Sequence, residues 1–240
     1  VSRMREQLPA TGLQEYWYPA FPTRWLGARR PLGFRLLGED IVFFRDAHGG
    51  IAALRDLCAH RGGKLSRGDC HFPGTLTCPY HGWTYDMTGK CIATIAEGPQ
   101  SQIPKMEVRI PVKKVQQLRG VVWVWMGSGQ PVPLEEDVPE EFLDSGTMIF
   151  TDVREWPVNW RPLMENAIDG HAPYVHRNSV VAVLFGLGAF GLEHSPITTR
   201  DGKGIGQLRG DNSQPVQEYP GLGRFPRRYW RKYWVWIFQW

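Results

Sequence analysis

Short apolar runs separated by turn-forming residues dominate the chain between Trp17 and about Gly127. The runs are rich in β-branched and aromatic side chains, a composition typical of strands. Glycine and aspartate clusters at 38–40, 46–50 and 86–89 lie between the runs and indicate tight turns. This spacing predicts a small antiparallel β-sandwich. The predicted strands are 33–37, 41–44, 51–54, 75–78, 83–85 and 121–125.

A proline-rich acidic stretch at 130–141 follows the predicted sandwich and indicates a domain junction. We therefore predict two domains, 1–130 and 131–240. The second domain begins with a strand-like run at 148–154 and a helix-like segment at 160–168, and returns to strands and turns after Asn178. The apolar stretch at 229–240 ends without a turn or polar tail. We expect an α+β fold whose second domain is incomplete at its C-terminus.

Composition narrows the function classes but identifies no ligand. The 240 residues are 42% apolar and 22% charged, as in ordinary globular proteins, and the net charge of +4 is too small to indicate nucleic-acid binding. No apolar run reaches about 18 residues, so we expect no membrane span. The N-terminus lacks the apolar core of a secretory signal, which favours the cytoplasm. Eleven tryptophans suggest aromatic surfaces in a core or pocket.

Two Cys/His pairs carry the clearest chemistry. Cys58-x-His60 and Cys78-x-x-His81 are separated by 17 residues. Two thiolates for one iron and two imidazoles for the other are the ligands of a two-iron, two-sulfide centre with mixed ligation. A tetrahedral zinc site uses the same residue types, although zinc fingers pair cysteine with cysteine and histidine with histidine. The residue types alone leave both alternatives open.

The order C-x-H-(17)-C-x-x-H matches the Rieske motif, and the chain resembles the oxygenase branch of that family. The resemblance implies a Rieske β-sandwich that holds a [2Fe-2S] cluster through these four residues. High-potential Rieske proteins carry an extra cysteine in each loop and a serine that hydrogen-bonds a cluster sulfur. This chain has Gly63, Tyr80 and Trp83 at the corresponding positions. The resemblance therefore implies a low reduction potential, toward roughly −150 mV.

A second segment, 165–176, resembles the catalytic motif of Rieske ring-hydroxylating oxygenases, E-N-x-x-D followed by H-x(3 or 4)-H. The resemblance implies that His171 and His176 bind a mononuclear Fe(II) with positions open for dioxygen. It also implies that Asp169 links this iron to His81 of a neighbouring subunit, and that Asn166 lines the site. Taken without the resemblance, two histidines and an aspartate near a helix end are more typical of a polar surface with a helix cap.

The segment departs from the family pattern at one position. Only Gly170 separates Asp169 from His171, where the family usually has two residues. Residues two apart on a helix point in different directions, so this spacing requires a break at Gly170 or Pro173. The family's third ligand is a carboxylate far downstream, which we expect beyond Trp240. Asp169 is the substitute candidate within the chain.

The resemblance implies a terminal oxygenase component with a helix-grip (START-like) catalytic domain. Electrons from NAD(P)H would arrive through a flavin/iron–sulfur reductase or a ferredoxin, and dioxygen would hydroxylate or oxidatively demethylate a small apolar, aromatic substrate. A homotrimer, with or without a beta subunit, is implied as well. Arg61, Lys64 and Arg67 on the first loop would suit an acidic electron donor. Two alternatives stay open: a Rieske electron carrier without oxygenase chemistry, and a zinc-bound structural module.

Overall fold

The structure is a computed structural model that describes residues 13–167 and four short strands beyond them, at 195–198, 205–208, 218–219 and 223–224. Contacts divide the chain into two compact units between Val153 and Arg154. No helix among the described residues has the length and apolar character needed to cross a bilayer.

The first unit is built from antiparallel strands. The strands are β1 (Trp17–Pro22), β2 (Leu32–Leu36), β3 (Glu39–Arg45), β4 (Ile51–Arg55), β5 (Thr75–Thr77), β6 (Trp83–Asp86), β7 (Cys91–Thr94), β8 (Val112–Lys113), β9 (Val115–Leu118) and β10 (Val121–Trp125). In the described part of the unit, they form three sheets, with the orders β1-β10-β9, β2-β3-β4-β8 and β5-β6-β7. The antiparallel β-sandwich predicted from the sequence is confirmed.

Strand β3 is the centre of the sandwich and is buried on both faces. Successive side chains of a strand point to opposite faces. Val42 and Phe44 accordingly pack into the core beneath the cysteine loops, whereas Ile41 and Phe43 pack on the other side against Phe21 of β1. Burial on both faces explains why this strand is a continuous apolar run rather than an alternating one.

A third core lies on the outer face of β10, where Trp123 and Trp125 pack with Trp17 of β1. Two short helices, α1 (Leu134–Asp137) and α2 (Glu140–Leu143), follow β10 in the chain. Leu134 of α1 is buried in this tryptophan core, and Asp137 accepts a hydrogen bond from the Trp17 backbone N–H at 2.7 Å. These three tryptophans are therefore structural, as one of the two sequence interpretations expects.

The second unit is described only in part. Helix α3 (Trp160–Ala167) confirms the predicted helix to within one residue, and its first turn is capped by Asn159, whose side-chain oxygen accepts the Arg161 N–H at 2.9 Å. Two antiparallel strand pairs follow, β11 (Ser195–Thr198) with β12 (Ile205–Leu208) and β13 (Glu218–Tyr219) with β14 (Gly223–Arg224). The strand predicted at 148–154 is not formed. A strand needs a hydrogen-bonded partner, and no described strand pairs with this segment.

Candidate metal centre

The four predicted cluster ligands lie on two loops of the first unit. Cys58 and His60 follow β4, and Cys78 and His81 lie in the turn between β5 and β6. Both cysteines are 3% exposed, whereas His60 is exposed and His81 is half-buried. The His60 and His81 ring centroids are 4.7 Å apart. The structure thus brings together two inner thiols and two outer imidazoles from separate segments.

The two loops share one backbone design. In the first, the Cys58 N–H donates to the Gly63 carbonyl and the Gly62 N–H donates to the Cys58 carbonyl, both at 2.9 Å. In the second, the Cys78 N–H donates to Trp83 at 2.8 Å and the Gly82 N–H to Cys78 at 3.1 Å.

Each loop therefore needs glycine at the fourth position after its cysteine. Gly62 and Gly82 have φ values of 69° and 67°, in the left-handed region that side chains disfavour. A Cβ on Gly82 would also lie 2.9 Å from the Ile95 Cβ. Glycine at these positions lets both loops turn tightly enough to bring their cysteines together.

This ligand set fits a [2Fe-2S] cluster better than a zinc ion. Tetrahedral zinc needs three or four side chains around one point. Within the described part of the chain, no three His, Cys, Asp or Glu side chains are grouped closely enough to surround one ion. Each iron of a Rieske cluster takes only two protein ligands, because bridging sulfides complete its shell. Two buried thiols and two outer imidazoles meet that requirement.

Aromatic rings support both imidazoles. The Trp83 indole is stacked on His60, with ring centroids 4.8 Å apart and planes 4° from parallel. Tyr80 lies against His81 at a centroid distance of 3.8 Å, and its own side chain is 64% exposed. Trp83 cannot replace the hydrogen bond that a serine would donate to sulfur, but its stacking restricts the orientation of the His60 ring.

Hydrogen-bond donors surround both cysteine sulfurs. The Tyr85 hydroxyl is 3.2 Å from the Cys58 sulfur and accepts the Ala59 N–H at 3.1 Å. Burial raises the pKa of the Tyr85 hydroxyl, which therefore keeps its proton and donates it to a thiolate. Burial also raises the pKa of the Cys78 thiol. The backbone N–H groups of Tyr80 and His81 donate hydrogen bonds to this sulfur and lower the pKa in part. Such donors stabilise the anionic sulfur that a metal requires.

Tyr85 was not predicted from the sequence as a functional residue. The signal was available, because Trp83 and Tyr85 are two apart on a predicted strand and therefore share one face. Lys64 was predicted to be a cation available to an acidic partner. Its ammonium is instead 2.6 Å from Asp40 and 3.8 Å from Asp56. Of the three basic residues on this loop, Arg61 and Arg67 are exposed.

The predicted second iron site falls at the edge of the described structure. Asn166 belongs to the last turn of α3. Asp169, His171 and His176 lie outside the described residues. Their assignments therefore stay predictions.

We expect Tyr85→Phe to lower the reduction potential of the cluster while leaving its assembly intact. Loss of the hydroxyl removes a donor to the Cys58 sulfur, which is more electron-rich in the reduced state. A tenfold change in the one-electron equilibrium corresponds to about 59 mV, and we expect a fall of this order. Redox titration followed by electron paramagnetic resonance (EPR) measures the shift. Tyr18→Phe, which removes a hydroxyl bonded to the Leu13 carbonyl, is the control; equal potentials in both variants would contradict the role of Tyr85.

Comparisons with known proteins agree with this geometry. Residues 16–114 match the family described as Rieske [2Fe-2S] domain, and residues 125–211 match the family described as homotrimeric ring hydroxylase. The terminal oxygenase component CarAa of carbazole 1,9a-dioxygenase from Sphingomonas sp. is 34% identical over 218 residues, which cover 86% of this chain and 57% of that protein. The chain thus spans little more than half the length of this relative.

Solved structures give the same result. The terminal oxygenase of carbazole 1,9a-dioxygenase from Nocardioides aromaticivorans IC177 superposes with a TM-score of 0.68 at 32% identity, over 80% of this chain and 52% of that one. A reduced complex between oxygenase and ferredoxin of carbazole 1,9a-dioxygenase matches with a TM-score of 0.65 at 31% identity, over 75% of this chain and 46% of that one. The Rieske match, the ring-hydroxylase match that follows it and the paired ligand loops place the chain in the family of Rieske non-haem iron oxygenases.

Proposed function

We propose that this chain is part of a terminal oxygenase component that acts on a small apolar, aromatic substrate with dioxygen. The observation that carries the proposal is the arrangement of two buried thiols behind two outer imidazoles on paired loops. When bound, the cluster and a mononuclear Fe(II) supply one-electron transfer and dioxygen activation for hydroxylation or oxidative demethylation. The proposed ligands are Cys58, His60, Cys78 and His81 for the cluster, and His171 and His176 for the mononuclear iron.

The described residues support distinct roles at the cluster. Cys58 and Cys78 hold sulfur in the interior, where Tyr85 and backbone N–H groups compensate its charge. His60 and His81 form the outer side of the site, so electrons would enter and leave through the imidazole edges. Trp83 and Tyr80 fix the planes of these rings.

We further propose that Asp169 connects the mononuclear iron to His81 of a neighbouring subunit and that Asn166 lines the iron site. This arrangement requires a ring of subunits, and the homotrimeric family that matches residues 125–211 supports it. A beta subunit is compatible with the same ring. Domain limits of 1–130 and 131–240 are proposed on the proline-rich junction, close to the start of that match.

The electron source we propose is NAD(P)H acting through a flavin/iron–sulfur reductase or a ferredoxin. The oxygenase–ferredoxin complexes among the similar structures support a small iron–sulfur donor. All four cysteines are free thiols in the structure. Free thiols suit a reducing compartment, and we propose the cytoplasm.

Iron and sulfide analysis with EPR of the dithionite-reduced full-length protein tests the proposal. We expect a rhombic Rieske-type signal, two sulfides and about three irons per chain, because the cluster contributes two irons and the second site one. A Rieske signal with only about two irons would favour the electron carrier. One zinc, no sulfide and no colour would favour the structural module instead.

A further inference from the structure

The two cluster loops are closed at their bases by different means. The second loop is a true hairpin, since Thr77 of β5 pairs with Thr84 of β6 and their hydroxyls lie 2.9 Å apart. The first loop leaves β4 and enters a 3-10 turn at Leu65–Arg67. Within the described residues, no strand pairing joins its two ends. A cluster that takes ligands from both loops requires the two ends of the first loop to be fixed as firmly as those of the second.

A buried carboxylate closes the first loop instead. Asp56 lies just before Cys58 and is 4% exposed. One of its oxygens accepts the Ser66 backbone N–H at 2.7 Å, and the other accepts the Ser66 hydroxyl at 2.6 Å. Asp56 and Ser66 flank the loop on either side, so this Asp56–Ser66 pair joins the two ends through both carboxylate oxygens.

Strand β2 covers the Asp56–Ser66 pair from outside. A Cβ on Gly33 would lie 2.7 Å from the Ser66 Cβ and 2.9 Å from its hydroxyl oxygen. The backbone of β2 therefore approaches the Ser66 side chain as closely as glycine allows and shields that side of the pair. A hydrogen bond shielded from water in this way is stronger than an exposed one.

The charge of Asp56 is only partly compensated. Among the described residues, the cation paired with it is Lys64, whose ammonium is 3.8 Å away and lies closer to Asp40, at 2.6 Å. A buried carboxylate is costly unless hydrogen bonds and a cation compensate it. The carboxylate of Asp56 thus lies two residues from the cluster ligand Cys58, with Lys64 as its ion-pair partner.

We propose that Asp56 is a positioning residue for the cluster: it closes the first loop through Ser66 and carries a negative charge two residues from Cys58 in the chain. The inference rests on the cluster-binding role proposed above. Closing the loop is a geometric effect that governs how much cluster assembles. The fixed charge is an electrostatic effect that disfavours the reduced cluster and lowers its potential. Substitutions at Asp56 and Ser66 separate the two effects.

Three variants of the full-length protein test the proposal. In Asp56→Asn the amide oxygen accepts the Ser66 N–H and the amide nitrogen donates to its hydroxyl. We expect wild-type iron and sulfide contents. The reduction potential should rise by about 59 mV, which corresponds to a tenfold change in the one-electron equilibrium constant. In Ser66→Ala the charge remains and one bond is lost, so cluster content falls and the potential stays. In Asp56→Ala we expect about tenfold less cluster.

Asp69→Asn is the matched control, because Asp69 is an exposed carboxylate in the same stretch of chain. Solvent screens its charge, so we expect both cluster content and potential to stay at wild-type values. Circular dichroism identifies any variant that fails to fold. Wild-type cluster content in Asp56→Ala, or an unchanged potential in a fully loaded Asp56→Asn, would overturn the inference while leaving the wild-type Rieske signal intact. Absence of that signal from the wild type would instead overturn the proposed function.

Discussion

Cys78→Ser is expected to yield folded protein with no [2Fe-2S] cluster. Cys78 is 3% exposed, and the backbone N–H groups of Tyr80 and His81 donate hydrogen bonds to its sulfur. A serine hydroxyl in that position keeps its proton and is a poor ligand for iron that prefers thiolate. Loss of a supporting residue around a metal typically costs 10–100-fold in affinity, so loss of a ligand should exceed about 100-fold. Iron, sulfide and visible absorbance measure the loss.

Two further variants distinguish loss of the ligand from loss of the fold. Cys70 is a half-buried thiol outside the motif, and burial raises its pKa to about 11, so it stays protonated. Cys70→Ser should therefore retain the full cluster. His60→Cys supplies a thiolate in place of an imidazole and should abolish the rhombic Rieske signal even where iron is still bound. A normal Rieske signal in Cys78→Ser or His60→Cys would exclude the proposed ligand set.

The sequence predicted the ligands because their spacing is local. Each Cys/His pair lies within four residues, and the chemistry of the pair is independent of the rest of the fold. The supporting residues are different, because their roles arise only from tertiary register. Tyr85 reaches Cys58 across 27 residues, and Asp56 acts through Ser66 on the far side of a loop. No local pattern specifies either contact.

The strands also divide into those that local sequence predicts and those that depend on a distant partner. Strands of the sandwich with close neighbours in sequence, such as β3 and β4, were predicted nearly to their ends. Strand β1 was missed, because it contains two prolines and its partner β10 lies about a hundred residues away. The segment at 148–154 has the sequence of a strand but no partner among the described residues. Strand propensity therefore predicts a strand only where a second strand is available.

His171→Ala is expected to abolish turnover while the Rieske signal persists. We propose His171 as a ligand of the mononuclear iron, and its loss should lower iron from about three to about two per chain. Product formation should fall by more than about 100-fold, by the same reasoning on metal affinity. The cluster should be unaffected, since its ligand loops and the donors around them all belong to the first unit. The assay supplies NAD(P)H, a reductase and a panel of small aromatic compounds.

The cluster signal decides how a loss of turnover is interpreted. His48 lies on an exposed turn between β3 and β4, so His48→Ala should keep both the Rieske signal and turnover. If His171→Ala lost the Rieske signal together with activity, His171 would be a structural residue. If the variant kept wild-type iron and turnover, the second iron site would lie elsewhere. Because the Asp169–His171 spacing is one residue shorter than in the family, the same measurements on Asp169→Asn establish whether the shortened segment still serves the iron.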